Sequence, residues 1–318
     1  MRQIKFTTAY EQILSFDDKD FKIKYEERIG NNPGYTQTIN GVRKHLALCP
    51  LCNNPVTILG IYKKINETPH ARHDATISEI PNVTVFDKYK LERCPYYKRN
   101  ADYVKEYVPE TEESQRRELY RIAKENYDKA IYLLQKQIGI HMSKQMIEKL
   151  AENYVMERAY NYIDATIYNI PWYLIYCFPG FLLYRLLIKK GCKLYKCLKH
   201  LGFDLENSKN KEYVFVKDNN GYLLKVTNYR YSVNKEEKIN EWVDFSIVAP
   251  DNSVENTLLY KPVDRFSIQT DSYYFNNLIN FTKWNKRQEL LDIADKYMKP
   301  WKKSDIRSEW NEKSFSTA

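Results

Sequence analysis

Three thiols and two imidazoles in the first hundred residues carry the chemistry this sequence offers most clearly. Cys49-Pro50-Leu51-Cys52 sets two cysteines two residues apart, a spacing that lets one tight turn present both sulfurs to a single metal ion. Pro69-His70-Ala71-Arg72-His73 adds two histidines, and Cys94-Pro95 adds a third thiol. Zn²⁺ takes four nitrogen or sulfur ligands in a tetrahedron, so Cys49, Cys52, His73 and Cys94 would form a Cys₃His site, with His70 able to replace either of the last two. The seventeen residues between Cys52 and His70 leave room for a strand and its return. A site closed by four protein ligands has no position for substrate, so the expected cofactor is a structural Zn²⁺. A three-ligand version would hold a water, but neither HExxH nor HxE followed by PCxxC is present to use it.

Other constellations yield less. Walker A, GxGxxG and GxSxG patterns are absent, which removes the main phosphate-cradle and serine-hydrolase classes. A restriction-type nuclease needs an Asp at one strand and Glu-x-Lys on the next. Asp244 lies in a strand-like run, but five residues separate Glu255 from Lys261 where the pattern allows one. Asp17, Asp18 and Asp20 read as a solvated turn, and His141 and His200 as bystanders. Cys177, Cys192 and Cys197 read as packing thiols, although the lysines around the last two could depress a thiol pKa. No catalytic residue follows from the sequence.

Charge and aromatic content point to a partner. Fifty Lys+Arg against 41 Asp+Glu leave a net charge of +9, accompanied by 28 tyrosines. Cations neutralise phosphates and rings stack on bases, so nucleic acid is the expected partner. Lys189, Lys190, Lys193, Lys196 and Lys199 recur at near-helical spacing around Tyr195 and are the expected phosphate-contacting row. These lysines also follow the apolar run Ile170–Ile188, which approaches the length of a membrane span. Pro171, Pro179-Gly180 and Arg185 interrupt it, so two buried helices broken at Pro179-Gly180 are expected instead, and membrane contact is the lesser alternative. With no apolar h-region at the N-terminus and no disulfide-like cysteine framework, a cytoplasmic location is expected.

The elements that must position these residues suggest an α+β protein with four parts. Residues 1–108 read as a β-rich zinc-binding module. Phe21–Tyr25 alternates like a strand, a turn follows at Gly30–Gly34, Val42–Leu48 delivers Cys49, and Val56–Tyr62 returns. Residues 109–205 read as helical. One helix covers 110–138, a second is capped by Ser143 and runs toward Tyr168, and Pro171 ends or bends it. Residues 206–301 mix strands and helix. Tyr213–Lys217 and Tyr222–Val226 form a hairpin around Asn220-Gly221, strands follow at Trp242–Val248 and Thr257–Lys261, and a helix covers Lys286–Met298. Residues 302–318 read as a flexible tail.

The stretch Cys49-Pro50-Leu51-Cys52-Asn53-Asn54-Pro55-Val56, with Pro69-His70-Ala71-Arg72-His73, resembles the N-terminal zone of the competence-protein CoiA-like family, over about residues 40–75. That resemblance implies a zinc-ribbon-like module, with Cys49 and Cys52 at the matched positions, in a cytoplasmic protein that handles DNA. The chain departs from the pattern in carrying Cys94 as an extra ligand candidate and no nuclease core downstream. The functional expectation is therefore a zinc-stabilised protein that binds or processes nucleic acid, in DNA uptake or in defence against mobile DNA, antiviral defence included. The alternatives are a membrane-associated effector or toxin subunit using 170–188, and a non-catalytic interaction subunit with a protein partner in a larger assembly.

Overall fold

The computed structural model describes residues 1–8, 13–62, 69–98, 100–103, 113–234, 239–251, 259–271 and 274–299. Their apolar side chains collect into two cores, one drawn from residues 1–94 and the other from residues 103–298. The elements form an α+β fold with several antiparallel sheets.

Around the first core, β1 (Gln3–Ile4) pairs with β2 (Leu14–Ser15), and α1 (Phe21–Asn31) follows. β3 (Thr36–Ile39), β4 (Val42–Leu48), β5 (Pro55–Leu59) and β6 (His70–His73) then form an antiparallel meander in which sequence neighbours are sheet neighbours. A small hairpin of β7 (Glu79–Ile80) and β8 (Thr84–Val85) leads to α2 (Lys88–Arg93). The alternation at Phe21–Tyr25 belongs to a helix, not a strand. Phe21 and Tyr25 lie four residues apart on one buried face, and Ile23 between them is 61% exposed. The Tyr25 hydroxyl donates to the carbonyl of Tyr35 at 3.1 Å, which fixes α1 against the meander.

The second core is built by β9 (Asn100–Asp102), α3 (Glu113–Glu125), α4 (Tyr127–Ile138), β10 (Ile140–His141), α5 (Lys144–Met156), α6 (Ile170–Tyr176), β11 (Phe181–Leu182), β12 (Leu187–Lys189) and α7 (Lys193–His200). It continues through β13 (Leu205–Asn207), β14 (Tyr213–Val216), β15 (Leu223–Val233), β16 (Ile239–Asp251), β17 (Leu259–Asp271), α8 (Tyr274–Ile279) and α9 (Gln288–Tyr297). One sheet has the order β11-β15-β16-β17 with β9 beside β15, and the other the order β10-β12-β14-β13. β9 is tied in through buried Glu241, whose Oε1 accepts from the hydroxyls of Tyr103 at 2.5 Å and Tyr229 at 2.8 Å. Burial and the carboxylate's charge push both tyrosines well above their usual pKa, so they remain donors.

Several elements depart from the sequence expectations. The helix expected over 110–138 divides at Asn126 into α3 and α4. Ser143 does cap α5, accepting from the Met146 amide at 3.3 Å, but α5 stops at Met156, short of Tyr168, and Arg158 turns left-handed at φ +45°. Pro171 opens α6 because a first-turn residue has no intrahelical N–H bond to lose. Within the run Ile170–Ile188 only Ile170–Tyr176 is helical; the part after Pro179-Gly180 carries β11 and the start of β12 and is not the helix expected. No helix among the described residues is long and apolar enough to cross a membrane.

The expected 213–226 hairpin does not form. β14 pairs with β12 and β13, whereas β15 pairs with β16 along its whole length, and the long ladder outcompetes a short one. Gly221 keeps the left-handed φ of +72° that the sequence implied, in a crossing between sheets. The expected strand at Trp242–Val248 lies within β16, and α9 covers Gln288–Tyr297 of the helix expected over Lys286–Met298. Glu255, residues 257 and 258 of the expected 257–261 strand, and the 302–318 tail fall outside the described residues.

Gly139 ends α4 at φ +78°, and a Cβ there would lie 2.5 Å from the Cβ of Cys192. Gly139→Ala therefore combines left-handed strain with a backbone-level clash and is expected to cost about 2–5 kcal/mol in urea denaturation. Gly202→Ala, at φ +77° in open space, should cost only about 1–2 kcal/mol.

Candidate metal centre

Sheet register assembles the site. Leu48 pairs with Pro55, so the β4–β5 connection carries Cys49 and Cys52 at one end of the meander. Within that turn the Cys49 amide donates to the Asn54 carbonyl at 2.9 Å and the Asn53 amide to the Cys49 carbonyl at 3.1 Å, with Asn53 left-handed at φ +60°. β6 runs back along β5 with His73 opposite Val56 and His70 opposite Leu59. His73 is thereby level with the cysteine turn, whereas His70 lies three residues further, about 10 Å along the strand. His70 is exposed and outside the cluster.

The last ligand arrives on a helix end. Asp87 caps α2 by accepting from the Lys90 amide at 3.1 Å, and Cys94 is the residue that terminates it. Asn54 sets where this helix lies. Its buried amide accepts from the Asp87 N–H at 2.6 Å and donates to the Asp87 carbonyl at 2.9 Å, a backbone-like pair of hydrogen bonds between the turn and the helix start. Asn54 is the positioning residue that motif reasoning missed. Its signal was a polar residue immediately before the strand that follows the CxxC, where burial is demanded.

Ligand atoms of Cys49, Cys52, His73 and Cys94 all lie within 4.8 Å of one another and could hold a metal ion. The sulfurs of Cys49 and Cys94 are 3.5 Å apart, and the Cys52 sulfur is 3.3 Å from Nε2 of His73. All three cysteines are buried and free of disulfides. Burial pushes the Cys94 thiol well above its usual pKa. Burial also opposes ionisation of Cys49, yet hydrogen bonds from Cys52 and Cys94 and from the amides of Cys52 and Leu51 hold it well below the thiol range. Three buried thiols and an imidazole leave an expensive, half-satisfied polar cluster, which a cation resolves by binding all four lone pairs at once.

Elsewhere the expected groups scatter. Of the lysine row only Lys193, Lys196 and Lys199 sit on α7; Lys189 belongs to β12 and Lys190 to the turn after it. All five are exposed, but Lys193 donates to the Ser267 carbonyl at 2.6 Å. The Lys190 amide bonds the Glu212 carbonyl at 2.9 Å, which brings the turn bearing Lys209 and Lys211 alongside, an extension visible only once β14 is placed. Asp244 accepts from Arg230 at 3.1 Å and from the Ser267 hydroxyl. Lys261 pairs with Ala249, about 20 Å along β17 from the residue opposite Asp244, so these two do not converge. Asp17 pairs with Arg2 and Asp20 with Lys24 at a solvated surface. Burial raises the Cys192 thiol and lifts Cys197 to about 11, contrary to the depression that nearby lysines suggested.

Cys49→Ser and His73→Ala should lower bound metal below one equivalent per chain by elemental analysis, and Cys49→Ser should unfold the first hundred residues. His70→Ala should retain full stoichiometry. Asn54→Ala should keep the metal yet destabilise the lobe by about 2–4 kcal/mol, read from its denaturation midpoint.

No known protein family, curated protein or solved structure matches the chain.

Proposed function

We propose that this chain is a zinc-stabilised nucleic-acid-binding protein, in which the ion holds the N-terminal lobe and the lysines around α7 contact phosphate. Zinc fits the donor set of three thiols and one imidazole. With Zn–S near 2.3 Å and Zn–N near 2.0 Å, tetrahedral ligand atoms lie about 3.5–3.8 Å apart. The spacings of 3.5 and 3.3 Å need only a slight outward adjustment. Four ligands leave no open coordination position, so the ion staples the fold and catalyses nothing.

The observation that carries the nucleic-acid reading is the row itself. Lys189, Lys190, Lys196 and Lys199 are exposed and have no carboxylate within ion-pairing distance among the described residues, and Lys199 lies over the Tyr195 ring at 5.7 Å. Ammonium groups with no carboxylate partner among the described residues, one of them over an aromatic ring, match a phosphate backbone with stacked bases. A role in DNA uptake or in defence against mobile DNA rests on the residue pattern at 49–73 alone.

The test is anisotropy with labelled single- and double-stranded DNA and RNA across a salt series, with Mg²⁺ and EDTA arms scored for cleavage. Salt-sensitive binding without cleavage is expected. A Lys190→Glu/Lys196→Glu/Lys199→Glu variant should lower the slope of log K against log salt by about 2–3. No binding at low salt would overturn the reading.

A further inference from the structure

A cleft of about 610 Å³ opens where the start of α5 faces the segment joining α6 to β12, and its lining includes neither the four clustered ligands nor any of the five row lysines. Its volume is in the range of small-molecule sites, about 300–1,000 Å³. Phe178, Leu182, Leu186 and Leu223 line its interior, while His141, Lys149 and Arg185 bring basic groups to it. No Asp or Glu is among its lining residues. This is the second half of the apolar run that the sequence offered as a membrane contact, and Leu182 remains 43% exposed in it.

The backbone is specialised to shape this cleft. Gly180 sits at φ +142°, where a Cβ would come within 2.9 Å of the Lys225 side chain and 3.2 Å of the Leu224 carbonyl. Its lack of a side chain lets the segment lie directly on β15. Arg185 is left-handed at φ +58°, held by its amide bond to the Val216 carbonyl at 3.1 Å. Glycine would relieve that conformation, so an arginine there sets backbone cost against a guanidinium at the cleft. An aliphatic interior with basic groups and no acid complements a ligand that is apolar along its length and anionic at one end. A phosphate chain would gain nothing from Leu182, Leu186, Leu187 and Leu223, which line it.

We propose that this cleft binds a free medium- to long-chain fatty acid, its chain against Phe178, Leu182 and Leu223 and its carboxylate served by Arg185 and Lys149. The test titrates the full-length protein with the fluorescent fatty acid cis-parinaric acid and displaces it with laurate, lauryl alcohol or AMP. Expected are a single saturable site, displacement by laurate ahead of lauryl alcohol, and none by AMP. Arg185→Gly, favoured by the backbone at that position, should weaken laurate roughly tenfold while leaving lauryl alcohol unchanged. Leu182→Asp, at an exposed position, should weaken both ligands roughly tenfold or more. Absence of saturable binding below the micellar concentration of laurate, equal affinity of wild type and Arg185→Gly for laurate, or displacement by AMP would overturn the proposal.

Discussion

A turn, a strand end and a helix end, carrying Cys49 and Cys52, His73 and Cys94, meet where three buried sulfurs and an imidazole nitrogen face one another. Nothing apolar makes that meeting favourable, because each group left without a partner loses the hydration it had in the unfolded chain. The lobe around it is small, with one modest core between α1 and the meander. Small lobes bury too little surface to tolerate such a cluster on hydrophobic stabilisation alone. A shared cation would turn the same four groups from a cost into a tie, and β4, β5, β6 and α2 are the elements that bring its four candidate ligands together.

The larger body is held by different means. Its core runs continuously from the helices α3–α6 into the long strands β15–β17, so the helical middle and the C-terminal strands share one interior. Buried there is the Glu241 carboxylate, on whose Oε1 two tyrosine hydroxyls converge. The Lys5–Leu48 bridge links β4 back to the start of the chain, so the metal lobe is closed on its own first residues.

What the sequence made legible follows from range. The ligand set was readable because CxxC, HxxH and a later cysteine are local signatures, and β4 and β5 flank the turn where strands were expected. The choice between His70 and His73 was not readable, since it depends on pairing Val56 with His73, a long-range register. Phe21–Tyr25 fits periods of two and of nearly four over so short a window, and only the packing of Phe21 with Tyr25 decides. Asn220-Gly221 announced its backbone conformation correctly, yet a turn residue cannot say which strands it joins when β16 offers a longer ladder. Asn54 carries no motif, and its importance exists only when Asp87 is beside it.

The Asn54–Asp87 clamp has a bearing on which ions the lobe accepts. Register fixes the cysteine turn against His73, and the clamp fixes the helix that presents Cys94, so the shape of the cage is set by hydrogen bonds that do not involve the ion. A cage preshaped in this way selects by geometry as well as by affinity. An ion that prefers a square-planar shell would have to bend a β ladder or break the paired hydrogen bonds at Asp87 to satisfy itself. In such a cage, discrimination against copper or nickel, whose affinity for such donors rivals or exceeds that of zinc, would rest on an asparagine outside the ligand set.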